Sequence, residues 1–195
     1  IRKLIDKKKT HALVINTPSN PLGTVLSRDI IEEIADIAVE HDLYIFSDEA
    51  YEKLVYDKKH LSIGSLNGMQ DYVLSFYTFS KSYAMCGYRL GYAVGPEPLI
   101  KAMNKISHYI TLSAPTISQL VGIKALSISS RYIEHMKQEY DRRRKFIVKR
   151  LNDIGLPTVM PHGAFYAFSN IKHLRTSSYN FAKNLLEKSK VAVVP

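Results

Sequence analysis

The residues most able to do chemistry are concentrated in one short segment of the sequence. It contains Lys81, Arg89 and the hydroxyls of Thr78 and Ser80. The apolar run directly before it predicts a buried strand. A lysine at the end of such a strand is partly removed from water, which suits its amine to act as a nucleophile. The planar guanidinium of Arg89 and the two hydroxyls suit a phosphate. The alternative is a surface turn in which these side chains have no special role.

A proline-rich loop further upstream follows another strand-like run. The run is 12–15, and the loop, 16–23, holds two prolines and Gly23, a composition that excludes a helix. Ligands of α/β proteins bind at the carboxyl ends of strands. This loop is therefore a candidate binding segment, although a plain connector between elements explains the same composition.

Acidic and phenolic side chains follow a third apolar run, 43–46. Asp48 comes at its end, and Tyr51 lies three residues later. A carboxylate at the end of a buried strand costs free energy unless it meets a positive or donating partner, and a protonated ring nitrogen would be such a partner. The alternative is that Asp48 caps a short helix. We expect the neighbouring Glu49 to face outward or to hydrogen-bond to the backbone.

Together these segments resemble the fold-type-I aminotransferases of class I and II, which use pyridoxal phosphate, and within them the aspartate and aromatic aminotransferases. The resemblance is carried by Ser80-Lys81 followed by Gly87-Tyr88-Arg89-Leu90-Gly91, by Asn20-Pro21-Leu22-Gly23, and by Asp48 with Tyr51. Three residues depart from the pattern: Leu22 and Cys86 stand where the family often has threonine, and Tyr88 where it often has tryptophan.

The resemblance implies a role for each candidate residue. Lys81 would bind the cofactor as a Schiff base and carry the substrate proton. Asp48 would pair with the ring nitrogen, while Asn20 and Tyr51 would hydrogen-bond to the ring hydroxyl. The phosphate would be held by Thr78, Ser80 and Arg89. A further phosphate loop, an aromatic residue that stacks on the ring and an arginine that binds the substrate carboxylate would lie outside the sequence.

The implied activity is that of an amino acid: 2-oxo acid aminotransferase, acting as a homodimer in full-length form on an aromatic or acidic amino acid. A carbon–sulfur lyase or a cyclopropane-forming synthase of the same fold type shares the same residues. A regulator that uses a pyridoxal-phosphate-binding domain as a ligand sensor is a third interpretation, and the net charge of +9 is its only support.

Composition narrows the class of protein. The chain has 195 residues, of which 46% are hydrophobic, enough for a sizeable core. No apolar run approaches the roughly 18 residues that a membrane helix needs, so we expect no membrane association.

The basic cluster 142–145 lies near acidic residues and predicts a solvated helix face, so we expect no nucleic-acid partner. The single cysteine, Cys86, favours a reducing cytoplasm. No pair among the seven histidines has metal-ligand spacing, so no metal site is expected.

The predicted fold is α/β: an aminotransferase-like large domain with a mixed, mostly parallel sheet sandwiched by helices, followed by part of a small α+β domain. We assign 1–130 to the C-terminal half of the cofactor-binding large domain, 131–152 to a long linking helix, and 153–195 to the incomplete small domain. The run 90–94 follows the lysine segment without an intervening long helix, which predicts an antiparallel strand. Strands are also predicted at 158–160, 164–168 and 191–194. The absence of an initiator methionine and the strand-like end suggest a fragment of a longer protein.

Overall fold

A computed structural model describes residues 1–195. The strands are β1 (Ala12–Asn16), β2 (Tyr44–Asp48), β3 (Val73–Thr78) and β4 (Gly91–Val94). The α-helices are α1 (Arg28–His41), α2 (Phe79–Ser82), α3 (Glu97–Ile110), α4 (Thr116–Leu126), α5 (Ser130–Asp153) and α6 (Ser178–Ser189). Short 3-10 helices cover Arg2–Leu4, Ile63–Ser65, Cys86–Tyr88 and Lys172–Leu174.

The four strands form one sheet in the order β1-β2-β3-β4. Strands β1, β2 and β3 run parallel, and β4 pairs with β3 in the antiparallel sense. This confirms the predicted mixed sheet and its antiparallel strand. Because β1, β2 and β3 run in the same direction, their carboxyl ends, at Asn16, Asp48 and Thr78, lie along the same edge of the sheet.

The main hydrophobic core lies between the sheet and helix α1. Ile31, Ile34 and Ala38 recur at spacings of three and four and so line one face of α1. They are buried against Ile45 of β2 and Val73 of β3. Packing of this apolar face of α1 holds the helix against the sheet. The sheet in turn sets the positions of the strand ends.

The strands predicted after helix α5 do not form. Thr158 and Ser169 make one isolated antiparallel bridge, and Gly163 makes another with Val55. Residues 191–194 end without a ladder, and only the amide of Val191 is bonded, to the carbonyl of Leu185 at 3.4 Å. A strand exists only through a continuous ladder with a neighbour. The runs 158–160, 164–168 and 191–194 are apolar, but no neighbouring strand pairs with them along a ladder. The prediction of strands there was wrong.

No helix of the protein combines the length and the apolar character needed to cross a membrane. Helix α5 is the longest at 24 residues and carries many charged side chains along its exposed faces. Its residues Met136 and Tyr140 pack on a small cluster formed by Tyr51, Leu54 and Ala164. Helix α5 therefore contacts both the loop after β2 and the segment that follows the helix.

Candidate active site

The loop that carries Asn20 is tied to the end of β2. Asn16 and Asp48 are register partners at the ends of β1 and β2. The Asn16 side chain donates to the Asp48 carbonyl at 3.3 Å and accepts from the Asn20 amide at 2.7 Å. The Asp48 carboxylate accepts from the Ala50 amide at 3.1 Å. One asparagine thus joins two of the predicted site segments, and the Asp48 carboxylate keeps acceptor capacity for a ligand.

Tyr51 is 3% exposed, and its hydroxyl is hydrogen-bonded to the hydroxyl of Tyr166. Burial raises the pKa of Tyr51, and the hydrogen bond to Tyr166 and the charge of Asp48 raise it further. The Asn20 side chain lowers this pKa and so acts in the opposite direction. The side chains of Asn20 and Asp48 therefore lie close enough to Tyr51 to influence its pKa.

Lys81 lies in the short helix α2, directly after β3. Its Nζ atom lies 5.9 Å from the centroid of the Tyr51 ring and 5.4 Å from that of Phe165. The faces of aromatic rings attract cations at such distances. The lysine amine is therefore held between two aromatic rings beside the Asp48–Tyr51 loop.

The predicted phosphate-binding residues lie in one continuous turn. The Thr78 hydroxyl caps α2 by accepting from the Ser80 amide at 3.1 Å. The thiol of Cys86 donates to the Ser80 carbonyl at 3.0 Å, and Arg89 donates to the Cys86 carbonyl, also at 3.0 Å. Arg89 is exposed and forms no ion pair, so its charge is available to an anion. Cys86 thus takes part in the turn through its thiol.

Glu49 was wrongly expected to face outward or to bond the backbone. It is 1% exposed, and its Oε1 atom accepts from the hydroxyls of Ser47, Ser62 and Ser75 at 3.0, 2.8 and 2.9 Å. Burial alone would raise the pKa of Glu49, but these hydrogen bonds and one from His60 outweigh it and lower the pKa. Its partners come from the end of β2, from the loop at His60 and Ser62, and from β3, so the local sequence gave no sign of its burial.

Phe165 and Tyr166 are site residues that sequence reasoning did not assign. Both rings pack edge-on against Tyr51, with centroid separations of 5.3 and 5.7 Å. The adjacent pair of aromatic residues after Gly163 was the available signal, because aromatic side chains often line ligand sites. Their sequence distance from Tyr51 concealed the contact.

The chemistry of this donor set fits pyridoxal phosphate. The cofactor needs an amine for its aldehyde, an anionic partner for its ring nitrogen, hydrogen-bond partners for its ring oxygen, and cations and hydroxyls for its phosphate. Lys81 would supply the amine, Asp48 the anion, and Asn20 and Tyr51 the groups for the ring oxygen. The hydroxyls and the guanidinium of the turn after β3 match the phosphate.

Comparisons with known proteins identify the family of the chain. The family described as aminotransferase class I and II matches residues 1–195. Aspartate aminotransferase of Pyrococcus abyssi is 49% identical over 191 residues, covering 96% of this chain and 49% of that protein. Aromatic-amino-acid aminotransferase 2 of Thermococcus litoralis is 48% identical over 190 residues, covering 96% of this chain and 49% of that protein.

The fold is also shared with solved structures. The crystal structure of the aromatic aminotransferase from Pyrococcus horikoshii superimposes with a TM-score of 0.94 at 45% identity, covering 100% of this chain and 52% of that one. The chain belongs to the class I and II aminotransferases, a family whose members use pyridoxal phosphate. It spans about half the length of the relatives that it matches.

Proposed function

We propose that the complete protein is an amino acid: 2-oxo acid aminotransferase that holds pyridoxal phosphate at Lys81. The observation that carries this proposal is the placement of the Lys81 amine beside the Tyr51 ring, 5.9 Å from its centroid. The same loop presents Asp48 at the end of the adjacent strand. Family membership and relatives named as aminotransferases support it over a carbon–sulfur lyase, a cyclopropane-forming synthase or a regulator domain.

Each residue has a distinct task in this proposal. When bound, pyridoxal phosphate withdraws electrons from the substrate carbon and so stabilises negative charge there. The Nζ atom of Lys81 would bind the aldehyde and later hold the proton that moves between the substrate α-carbon and the aldehyde carbon of the cofactor. The Asp48 carboxylate keeps a proton on the ring nitrogen by charge pairing. Asn20 and Tyr51 hydrogen-bond to the ring oxygen, and Thr78, Ser80 and Arg89 hold the phosphate.

The substrate class, assembly and location extend the same proposal. An acidic or aromatic amino acid is the proposed substrate, since two of the similar proteins are named aspartate and aromatic-amino-acid aminotransferases. We propose a homodimer in a reducing cytoplasm, where the exposed thiol of Cys86 would persist. The division into a cofactor-binding part (1–130), a linking helix (131–152) and a small domain (153–195) also remains a proposal.

The test is an absorption spectrum of the complete gene product with added pyridoxal phosphate, before and after borohydride. Borohydride reduces a lysine–aldehyde adduct to a stable amine, and peptide mapping then locates it. We expect a visible band, its loss on reduction, and the label on Lys81. The variant Lys81→Ala should show none of these, while Lys105→Ala, at an exposed lysine of α3, should match the wild type.

The product separates transamination from its alternatives. Incubation with aspartate or an aromatic amino acid should give the matching oxo acid only when a second oxo acid accepts the amino group. Release of pyruvate and ammonia without an acceptor would point to a lyase instead. A Lys81→Ala variant with full transaminase activity would overturn the assignment of the lysine.

A further inference from the structure

The hydroxyl of Tyr51 has a protein partner that the proposed function does not use. Tyr166, which lies 115 positions away in the sequence, places its hydroxyl within hydrogen-bond distance of it. The two rings meet edge-on at a centroid separation of 5.7 Å with an interplanar angle of 78°. Tyr51 is buried and Tyr166 is half-buried, so little water competes for this bond.

The segment that carries Tyr166 is anchored independently of its hydroxyl. The amide of Ala164 donates to the Leu54 carbonyl at 2.9 Å, and the hydroxyl of Tyr56 donates to the Ala164 carbonyl at 2.5 Å. Gly163 also pairs with Val55 in an isolated bridge. These contacts hold the segment in place, so its position does not depend on the hydrogen bond of the Tyr166 hydroxyl.

Proton counting defines that role. A phenol carries one proton and can donate only one hydrogen bond. In the proposed function the Tyr51 hydroxyl donates a hydrogen bond to the ring oxygen of the cofactor. It can then only accept a hydrogen bond from Tyr166. Tyr166 must therefore be the donor in the loaded protein. A hydroxyl that accepts one hydrogen bond becomes a stronger donor in the next, because linked hydrogen bonds polarise one another.

We propose that Tyr166 is a positioning residue that directs the Tyr51 proton toward the cofactor and strengthens that hydrogen bond. This inference rests on the proposed function. Tyr166 does not touch the reacting atoms and acts only through Tyr51. Through this pair, the segment that follows helix α5 influences the electronic state of a cofactor held mainly by the ends of β2 and β3.

The consequence is a shift in the protonation of the bound cofactor. A donor aimed at the ring oxygen favours the form in which that oxygen is negative. Removing the Tyr51 hydroxyl should raise the pH midpoint of the visible absorption change by about 1 to 2 units, the effect of a hydrogen bond to a charged acceptor. Removing only the Tyr166 hydroxyl should raise it by about 0.3 units, since cooperative strengthening is a fraction of one bond.

The experiment is a spectrophotometric pH titration of the complete, cofactor-loaded protein. It compares the wild type with Tyr166→Phe, Tyr51→Phe and the double variant. Tyr56→Phe is the matched control, because it removes a hydroxyl that bonds the same segment at Ala164 but does not reach Tyr51. We expect a raised midpoint in Tyr166→Phe, no change in Tyr56→Phe, and no added effect of Tyr166→Phe when Tyr51 is already Phe.

Each other result has a definite meaning. A Tyr166→Phe midpoint equal to that of the wild type overturns the inference and leaves the proposed function standing. An equal shift in Tyr56→Phe, or an undiminished effect in the double variant, also overturns it, because the hydroxyl would then act through the segment's position and not through Tyr51. A wild-type protein without a visible band overturns the proposed function and this inference with it.

Discussion

His60 forms a hydrogen-bonded pair with Glu49, which is next to Asp48 in the chain. The Nε2 atom of His60 lies 2.8 Å from Oε2 of Glu49, and the two side chains are 10% and 1% exposed. Glu49 is the neighbour of Asp48 in the chain, so the groups that hold Glu49 also restrain the backbone of Asp48, the proposed partner of the ring nitrogen. A buried carboxylate is tolerated here because its oxygens are fully hydrogen-bonded.

The free energy of unfolding should depend on pH through the ionisation of Glu49. Its folded-state pKa is lowered from the ordinary value of 4.5, so the ionised form favours the folded protein. This contribution is complete above pH 4.5 and is lost as the pH falls through the lower folded-state pKa. Urea unfolding between pH 7 and pH 3 should show the loss in the wild type. Glu49→Gln should reduce the change in the free energy of unfolding with pH. It should also lower that free energy at pH 7 by about 3 kcal/mol.

The control for this experiment is Glu32→Gln, since Glu32 is exposed and pairs only with Arg28 on the surface of α1. Its free energy of unfolding should change by less than about 0.5 kcal/mol. If the free energy of unfolding of Glu49→Gln changed with pH as much as that of the wild type, other groups would control unfolding in acid.

Arg144 should be far more sensitive to substitution than the arginines beside it. It is 6% exposed, donates to Asp57 at 2.7 Å and to the Pro161 carbonyl at 2.6 Å, and lies over the Tyr56 ring at 4.4 Å. A lysine cannot reproduce the planar fork. Arg144→Lys should lower the free energy of unfolding by about 2 to 3 kcal/mol, measured by urea denaturation.

The neighbouring Arg142 provides the comparison. It is exposed and bonds only to Glu139 on the same helix. Arg142→Lys should change the free energy of unfolding by less than about 0.5 kcal/mol. Equal effects of the two substitutions would contradict the role of Arg144 in joining α5 to the loop at Asp57.

Gly23 should be essential for the position of the Asn20 loop. Its φ angle is +65°, and a Cβ atom would overlap Pro161 and lie 2.8 Å from the Gly163 carbonyl oxygen. Gly23→Ala should therefore combine backbone strain with overpacking and lower the free energy of unfolding by about 2 to 4 kcal/mol. Because the loop moves with it, affinity for pyridoxal phosphate should also fall, as measured by fluorescence titration.

Gly68 separates the two causes. Its φ angle is +80°, and nothing lies within 4 Å of a Cβ added there. Gly68→Ala should lower the free energy of unfolding by only about 1 to 2 kcal/mol and leave cofactor affinity unchanged. Loss of affinity in Gly68→Ala would indicate a general effect of destabilisation.

Arg89 should contribute to phosphate binding through the shape of its guanidinium. It is exposed and makes one hydrogen bond, to the Cys86 carbonyl at 3.0 Å. Arg89→Lys keeps the charge but loses the planar pair of donors, so the dissociation constant for pyridoxal phosphate should rise about tenfold. Pyridoxal without its phosphate is the test of specificity, since its weaker binding should be the same in both proteins.

The local pattern of the sequence determined the sheet and the order of the candidate residues along it. Apolar runs predicted the four strands, and the short connection to β4 predicted its antiparallel direction. Parallel strands share an edge at their carboxyl ends, so Asn20, Asp48 and Lys81 could be expected to converge. The predictions of β1 to β4 were confirmed because periodicity and connection length are local properties of the chain.

Only the tertiary structure decided the burial of Glu49, the pairing of Tyr51 with Tyr166 and the absence of strands after α5. Each depends on groups far apart in the sequence: Glu49 meets Ser75 across 26 positions, and Tyr51 meets Tyr166 across 115. A local pattern reports the preference of a segment, whereas burial and strand formation require a partner. The sequence therefore indicated which residues could form the site, and packing between distant segments determined which of them touch.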